Sequence, residues 1–280
     1  MTQTIKAKNI MGRMPEGEVD TKIQETLKHI THKLMVMSGK GGVGKSSVSV
    51  NLATALATMG HKVGLMDVDI HGPDIPRMLG IQGNLQANDD KKIVPARYSP
   101  RLSVVSIESL MPDKDEAIIW RGPAKHAAIR QFVGDVDWGD LDYLIIDAPP
   151  GTGDEPLTVA HLIKDAQAII VTTPQEVALA DVRKSIRFCS QVKMEILGLV
   201  ENMSGYACPK CGEILNIFGT DGGRRTAEEK GVNFLGKIPL DPSLVALGDA
   251  GRSIQAENPS SPVTRAFKAL AKEVIRQSLP

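Results

Sequence analysis

Residues 39–44 hold four glycines in Gly39-Lys40-Gly41-Gly42-Val43-Gly44, directly followed by Lys45 and Ser46. Glycine reaches backbone conformations closed to other residues, so such a stretch neither extends a strand nor continues a helix. It follows the apolar run at residues 34–37 and precedes Val48, Leu52, Ala55, Leu56 and Met59, which share one helical face. The chain must therefore leave a buried strand, turn sharply and enter a helix. Further short apolar runs at residues 63–66, 102–107, 143–146, 168–172, 196–200 and 234–238 read as buried strands. Helical patterns end near residues 129–133, span 177–192, and recur near 243–250 and 262–277. This β-α-β order predicts an α/β fold with a mostly parallel twisted sheet flanked by helices. At 280 residues one domain suffices, set at residues 32–280 with a cysteine-bearing insertion at 205–218. Residues 1–31 read as an N-terminal extension whose latter part can form a helix, and the polar segment 81–99 reads as a loop.

The charge is balanced, 33 basic against 33 acidic residues, so nothing steers the chain toward nucleic acid or an anionic membrane. No stretch approaches the ~18 apolar residues of a membrane helix, and residues 1–16 lack the apolar core of a targeting segment. We expect a soluble cytoplasmic protein that binds neither membrane nor nucleic acid. Cys189 lies in a helical pattern and reads as a buried apolar side chain. Cys208-Pro209-Lys210-Cys211 is a close pair suited to metal or redox chemistry in a reducing compartment.

The spacing Gly39-x-x-x-x-Gly44-Lys45-Ser46, between a strand and a helix, is that of a phosphate cradle. Backbone N–H groups of Gly41, Gly42, Val43 and Gly44 would curl around a phosphate while the helix start, with Lys45, Ser46 and Ser47, adds its positive end. Lys45 would meet the β- and γ-oxygens and Ser46 would offer its hydroxyl to Mg²⁺. Lys40 cannot comfortably serve the same oxygens, so it is read as reaching another molecule's nucleotide. Asp67 and Asp69 follow one strand and Asp147 ends another, where ligands bind in open α/β sheets. Asp147 lies where a carboxylate would hold Mg²⁺ through water, and Gly151 and Gly153 let its loop sense a γ-phosphate. Cys208 and Cys211 supply half of a four-ligand zinc or [4Fe–4S] site, which a symmetric dimer would complete.

With its second lysine, Lys40-Gly41-Gly42-Val43-Gly44-Lys45-Ser46 resembles the deviant Walker A class of P-loop ATPases, to which nitrogenase iron protein, MinD and partition ATPases belong. That resemblance implies catalytic roles for Lys40, Lys45 and Asp69, with Lys40 acting across a dimer and Asp69 orienting the attacking water. It places Asp67 near the Mg²⁺ shell, and Asn202 at the adenine with Pro239 and Asp241 as weaker candidates. Asp67-x-Asp69-Ile70-His71-Gly72-Pro73, Trp120-Arg121-Gly122-Pro123, Asp147-Ala148-Pro149-Pro150-Gly151-Thr152-Gly153-Asp154, Glu201-Asn202-Met203-Ser204 and Phe234-Leu235-Gly236-Lys237-Ile238-Pro239 narrow the likeness to the Mrp (ApbC-type) family. It runs from about Leu34 to Ile254. It implies a slow, Mg²⁺-dependent ATPase that holds a [4Fe–4S] cluster across a homodimer and passes it to apo-proteins, with a related ATPase as an alternative partner. Nothing in residues 1–33 matches the small N-terminal domain of many bacterial members or the N-terminal four-cysteine cluster of eukaryotic ones, so the bridging cluster alone is implied. Three alternatives stand beside it: a structural zinc at the same cysteines, a MinD-like spatial organiser using the tail at 263–277, and an electron-donating reductase. The reductase ranks lowest, because nitrogenase iron protein sets its cysteines far apart.

Overall fold

The apolar runs pair side by side in a computed structural model that describes residues 3–4, 16–69, 72–83, 85–110, 122–208 and 210–279. In chain order the elements are β1 (Gln3–Thr4), α1 (Glu16–Leu27), β2 (Ile30–Met37), α2 (Lys45–Thr58), β3 (Val63–Asp67), α3 (Ile75–Met78), β4 (Gln86–Ala87), β5 (Ile93–Val94), β6 (Ala96–Ser99) and β7 (Leu102–Ser106). After a 3₁₀ turn at Ile107–Leu110 come α4 (Gly122–Asp135), β8 (Leu141–Asp147), α5 (Asp154–Leu162), β9 (Gln167–Thr172), α6 (Glu176–Gln191) and β10 (Glu195–Glu201). The hairpin β11 (Tyr206–Ala207) and β12 (Ile214–Leu215) precedes α7 (Gly222–Lys230), β13 (Phe234–Lys237), α8 (Pro242–Asp249), α9 (Ile254–Glu257) and α10 (Pro262–Ser278).

Eight strands form the main sheet in the order β13-β10-β9-β2-β8-β3-β7-β6. Every neighbouring pair is parallel except β6 against β7. Met35 of β2 lies opposite Ile146 on one side and Ala168 on the other, so the central strand is apolar along both flanks. Alternate residues face opposite layers. Met35, Met37 and Met66 pack against Ile23 of α1, Phe132 of α4 and Phe188 of α6. Leu34, Val36 and Leu65 pack against Leu52 and Leu56 of α2 and against Phe267, Leu270 and Val274 of α10. Burying each of these large side chains contributes roughly 1.5–3 kcal/mol, an upper estimate because an unfolded chain is already partly compact. The C-terminal helix thus spends its apolar face on α2 and β13, as its core-facing spacing suggests. No helix among the described residues is long and apolar enough to cross a membrane.

Two readings of the sequence need correction. Segment 81–99 is not plain loop: it carries β4, β5 and β6, the last forming the antiparallel edge of the main sheet. An edge strand needs ladder hydrogen bonds and only one partly covered face, so its polar composition hides it. The central strand also begins at Ile30 rather than Leu34, because Lys33 is buried with its ammonium on Asp165 at 2.6 Å and His32 stacks on Tyr143. Polar residues with such partners interrupt the apolar run without ending the strand. Ahead of it, α1 buries Ile23 and Leu27 in the core.

The glycine-rich loop leaves β2 where its neighbours are β9 on one side and β8 on the other. This is the point at which the chain order reverses, and it brings the ends of β2, β3, β8 and β10 to one edge.

Candidate functional site

The glycine-rich loop is shaped by two close approaches. A Cβ on Gly39 would come within 2.4 Å of the Asp181 carbonyl in α6, and one on Gly44 within 2.3 Å of Asn202 Nδ2. Gly44 also takes φ 79°, a left-handed conformation that glycine adopts without a steric penalty. Val43 anchors the loop by burying its side chain under it. Gly44 caps α2, and among the described residues no side chain caps the N–H groups of its first turn. Those donors, at the positive end of a helix of 14 residues, fit a phosphate. Lys40 is half-buried, its carbonyl accepts from Ser38 Oγ at 2.9 Å, and its ammonium has no ion pair among the described residues.

Lys45 sits among three carboxylates. Its Nζ lies 2.7 Å from Asp147 Oδ2 and 3.8 Å from Asp69 Oδ2. Ser46 Oγ donates to Asp147 Oδ2 at 2.7 Å, and Ser49 Oγ to Asp147 Oδ1 at 2.6 Å. Asp67 accepts from Ser106 Oγ at 2.9 Å and from the Asp69 N–H at 3.1 Å, and Asp69 accepts from Gly72 N–H at 3.3 Å. Asp67 and Asp147 are fully buried and sit opposite each other on paired strands. Burial, then the neighbouring Asp147 charge, pushes the Asp67 carboxyl well above the ordinary range.

The arrangement suits a divalent cation of one kind. No three His, Cys, Asp or Glu side chains converge on a metal position among the described residues. Ser46 Oγ and Asp147 Oδ2, however, are adjacent oxygens beside the phosphate cradle. Such a site fits Mg²⁺, which takes most of its ligands from water and phosphate.

Asp67→Asn should raise stability while spoiling the site. The amide keeps the volume, still accepts from the Asp69 N–H and can donate to Ser106. Asp67's folded pKa exceeds its unfolded value near 3.8, so its favourable contribution is present below that value and lost as pH rises through the folded pKa. Thermal melts should show the variant more stable at pH 7 by on the order of 1–2 kcal/mol, with the gain shrinking toward pH 4. An unchanged melting profile across that range would count against the like-charge argument.

Asn202, at the end of β10, is buried and donates from Nδ2 to the Val43 carbonyl at 2.9 Å. It therefore braces the loop from beneath. Pro239 sits between Ile238 and Leu240, whose backbones bond Ser204 and Gly205, and so lies along the same segment. Asp241 instead caps α8, accepting from Ser243 N–H at 2.9 Å and Ser243 Oγ at 2.6 Å. That capping role accounts for its position directly before Pro242, the first residue of the helix.

Cys208 and Cys211 stand on the turn of the β11–β12 hairpin, the first half-buried and the second exposed. Gly212 N–H donates to the Cys208 carbonyl at 2.8 Å and Cys208 N–H to the Glu213 carbonyl at 2.9 Å, closing a knuckle. N–H groups of Lys210 and Cys211, then the Cys211 thiol, hold the Cys208 thiol below its usual range and so favour the thiolate that binds soft metals. Cys189 is buried against Met37 and pushed up to about 12, as expected of a packing thiol.

The structural roles of three residues escaped sequence reading, Glu201 having stood only as part of a family landmark. Ser49 is four residues beyond Lys45, hence on the same helical face, and that spacing was an available signal. Ser106 becomes Asp67's partner only through the pairing of β3 with β7. Glu201, fully buried, accepts from Ser204 Oγ at 2.5 Å, Gly223 N–H at 2.6 Å and Asp221 N–H at 3.3 Å, contacts that span 22 residues of chain. Ile70, His71, Trp120, Arg121 and Pro209 lie outside the described residues.

Residues 29–275 match the ParA family described as NUBPL iron-transfer P-loop NTPase. An iron-sulfur cluster carrier protein of Saccharolobus solfataricus is 51% identical over 259 residues, covering 92% of this chain and 88% of that one. A cytosolic Fe-S cluster assembly factor NUBP2 homolog of Dictyostelium discoideum is 48% identical over 245 residues, 86% of this chain and 92% of that one. Among solved structures, a nucleotide-binding protein from Archaeoglobus fulgidus, in complex with ADP and with cobalt found, superposes with a TM-score of 0.76 at 40% identity, covering 89% of this chain and 96% of that one. The match takes in the loop, the strand ends and the cysteine hairpin alike, and on that extent the chain belongs to the iron-transfer P-loop NTPase family.

Proposed function

We propose that this protein is an ATP-binding and ATP-hydrolysing carrier that holds a [4Fe–4S] cluster across a homodimer and transfers it to apo iron–sulfur proteins in the cytoplasm. The observation that carries this reading is an exposed knuckle with two thiols and no third ligand near it among the described residues. A cluster needs about four thiolates, so a two-fold partner supplies the other pair. Exposed Ile214, Leu215 and Ile217 beside the knuckle give that partner an apolar surface to cover. A related ATPase presenting the same pair would serve equally as the second subunit.

In this reading the N–H groups of residues 39–44 and of the first turn of α2 bind the phosphates, and Lys45 leaves Asp147 for the β- and γ-oxygens. Ser46, with Asp67 and Asp147 behind it, would hold Mg²⁺, which would supply charge neutralisation at those oxygens. Asp69, poised 3.8 Å from Lys45 Nζ, orients the attacking water. Asn202 and Pro239 border the adenine. Lys40, with no ion pair of its own among the described residues, stabilises charge on the partner's nucleotide as an arginine finger does.

Anaerobic reconstitution tests the carrier reading directly. About two iron atoms per chain, thiolate-to-iron absorption and a dimer by size are expected. Zinc at about one per dimer with no iron uptake would make the knuckle a structural staple instead. The Lys40→Ala variant should bind ATP normally yet hydrolyse it about 10³-fold more slowly or worse, the scale of an arginine-finger loss. Ordinary turnover by that variant would remove the cross-dimer role.

A further inference from the structure

Only five residues separate Asn202, which braces the glycine-rich loop, from Cys208. We propose that Met203 is the positioning residue that couples the two: phosphate contacts at the loop are relayed through Met203 to the solvent access of Cys208 and Cys211. The inference rests on the nucleotide-dependent carrier reading and deepens it.

Each link is a direct contact. Asn202 Nδ2 holds the Val43 carbonyl, and Asn202 N–H donates to Thr172 at 2.7 Å, so Asn202 is fixed both to the loop and to the sheet. Met203 follows with φ 55°, a left-handed conformation rare for a residue with a side chain. Its terminal methyl lies 3.6 Å from where a Cβ on Gly44 would stand, directly under the loop. Ser204 is then clamped twice, by its N–H to Ile238 at 2.9 Å and its hydroxyl to buried Glu201. Gly205 is left-handed again at φ 78°, and a Cβ there would meet Ile214 Cγ2 at 3.1 Å, so the far strand of the hairpin rests on it.

The segment is therefore two left-handed joints around one clamped residue. Glu201 also accepts from the N-terminal N–H groups of α7, so the clamp is tied into the body of the domain rather than free to drift. A shift of the Val43 carbonyl, as the loop N–H groups turn onto phosphate, reaches Met203 through Asn202. There a strained joint has a second, commoner conformation available to it. Gly205 and Tyr206 are paired to Leu240, so relaxation of that joint acts on the hairpin through this held base and tilts its tip, where Cys208 and Cys211 stand.

The test uses the full chain, reduced and metal-free, and follows iodoacetamide alkylation of Cys208 and Cys211 peptide by peptide. Rates are measured with and without Mg²⁺ and a non-hydrolysable ATP analogue, and binding of the analogue is measured separately by calorimetry. In the wild type the analogue should change the alkylation rate several-fold. Met203→Gly, which relieves the strain and removes the methyl contact, should bind the analogue with unchanged affinity and lose the rate change. Met203→Leu, which keeps bulk and strain, should retain it. A Met203→Gly protein with the full response, or a wild type with none, overturns the relay. Failure of the wild type to bind the analogue overturns the carrier reading and the relay together. A preserved, Met203-dependent response in a protein that never takes up iron supports the relay and overturns the cluster as cargo.

Discussion

Replacing Lys45 with alanine should abolish nucleotide binding and also weaken the fold. Its ammonium lies 2.7 Å from Asp147 and 3.8 Å from Asp69, and both partners of the Lys45–Asp147 pair are over nine-tenths buried. Removing one member of a buried pair typically costs about 3–5 kcal/mol, because the other charge stays behind. Part of that loss is recovered by proton uptake. Burial and the Asp147 charge already hold the Asp67 carboxyl above its ordinary range, and removing Lys45, whose charge pulls the other way, raises it further. The deficit between wild type and variant should therefore be largest near neutral pH and shrink as pH falls toward the carboxylate range. Urea melts at several pH values, read beside nucleotide binding by calorimetry, check both halves. A variant that still binds ATP would refute the cradle, and a pH-independent deficit would refute the electrostatic account.

Cys208→Ala should lose iron altogether while leaving the nucleotide site intact. Reconstituted wild type is expected to carry about two iron atoms per chain, and the variant none above background, since the remaining Cys211 pair of a dimer leaves a cluster two ligands short. Knuckle bonds from Cys208's own N–H and carbonyl are backbone bonds that alanine keeps, so the hairpin should persist. Cys189→Ala is the matched control, because that thiol is buried away from the hairpin. Iron retained by Cys208→Ala would place the cluster elsewhere.

The parts legible in the sequence are those whose chemistry is local. Glycine at 39, 41, 42 and 44, followed by Lys45 and Ser46, announces its turn and helix start by spacing alone, and the cysteine knuckle announces itself likewise. What stayed hidden depends on pairing between distant segments. Lys33 looks like the end of a strand until Asp165 is brought to it. Ser106 gains meaning only when β7 lies beside β3, and Glu201 only when α7 returns its N-terminus to β10. Strand β6 is polar because an edge tolerates it, so no periodicity betrays it. The roles of Lys40 and Asn202 rest on a family pattern rather than on spacing, although the Asn202 contact to Val43 now gives that residue a place beneath the loop.

The position of β2 in the sheet has a kinetic consequence. Its partners are β8 and β9, so Ile30 waits for Leu141 and Met37 for Ile170. At ribosomal speeds of ~5–20 residues per second, roughly 7–27 s pass between synthesis of β2 and of β9. Until β8 is made, after roughly 5–22 s at those speeds, the strand that launches the loop has no ladder neighbour on either side, and its other flank stays open until β9 follows. Such an edge recruits other strands, and long-range parallel pairing closes slowly. Expression at lower temperature or with holdase chaperones should therefore raise soluble yield more than any substitution on the finished surface.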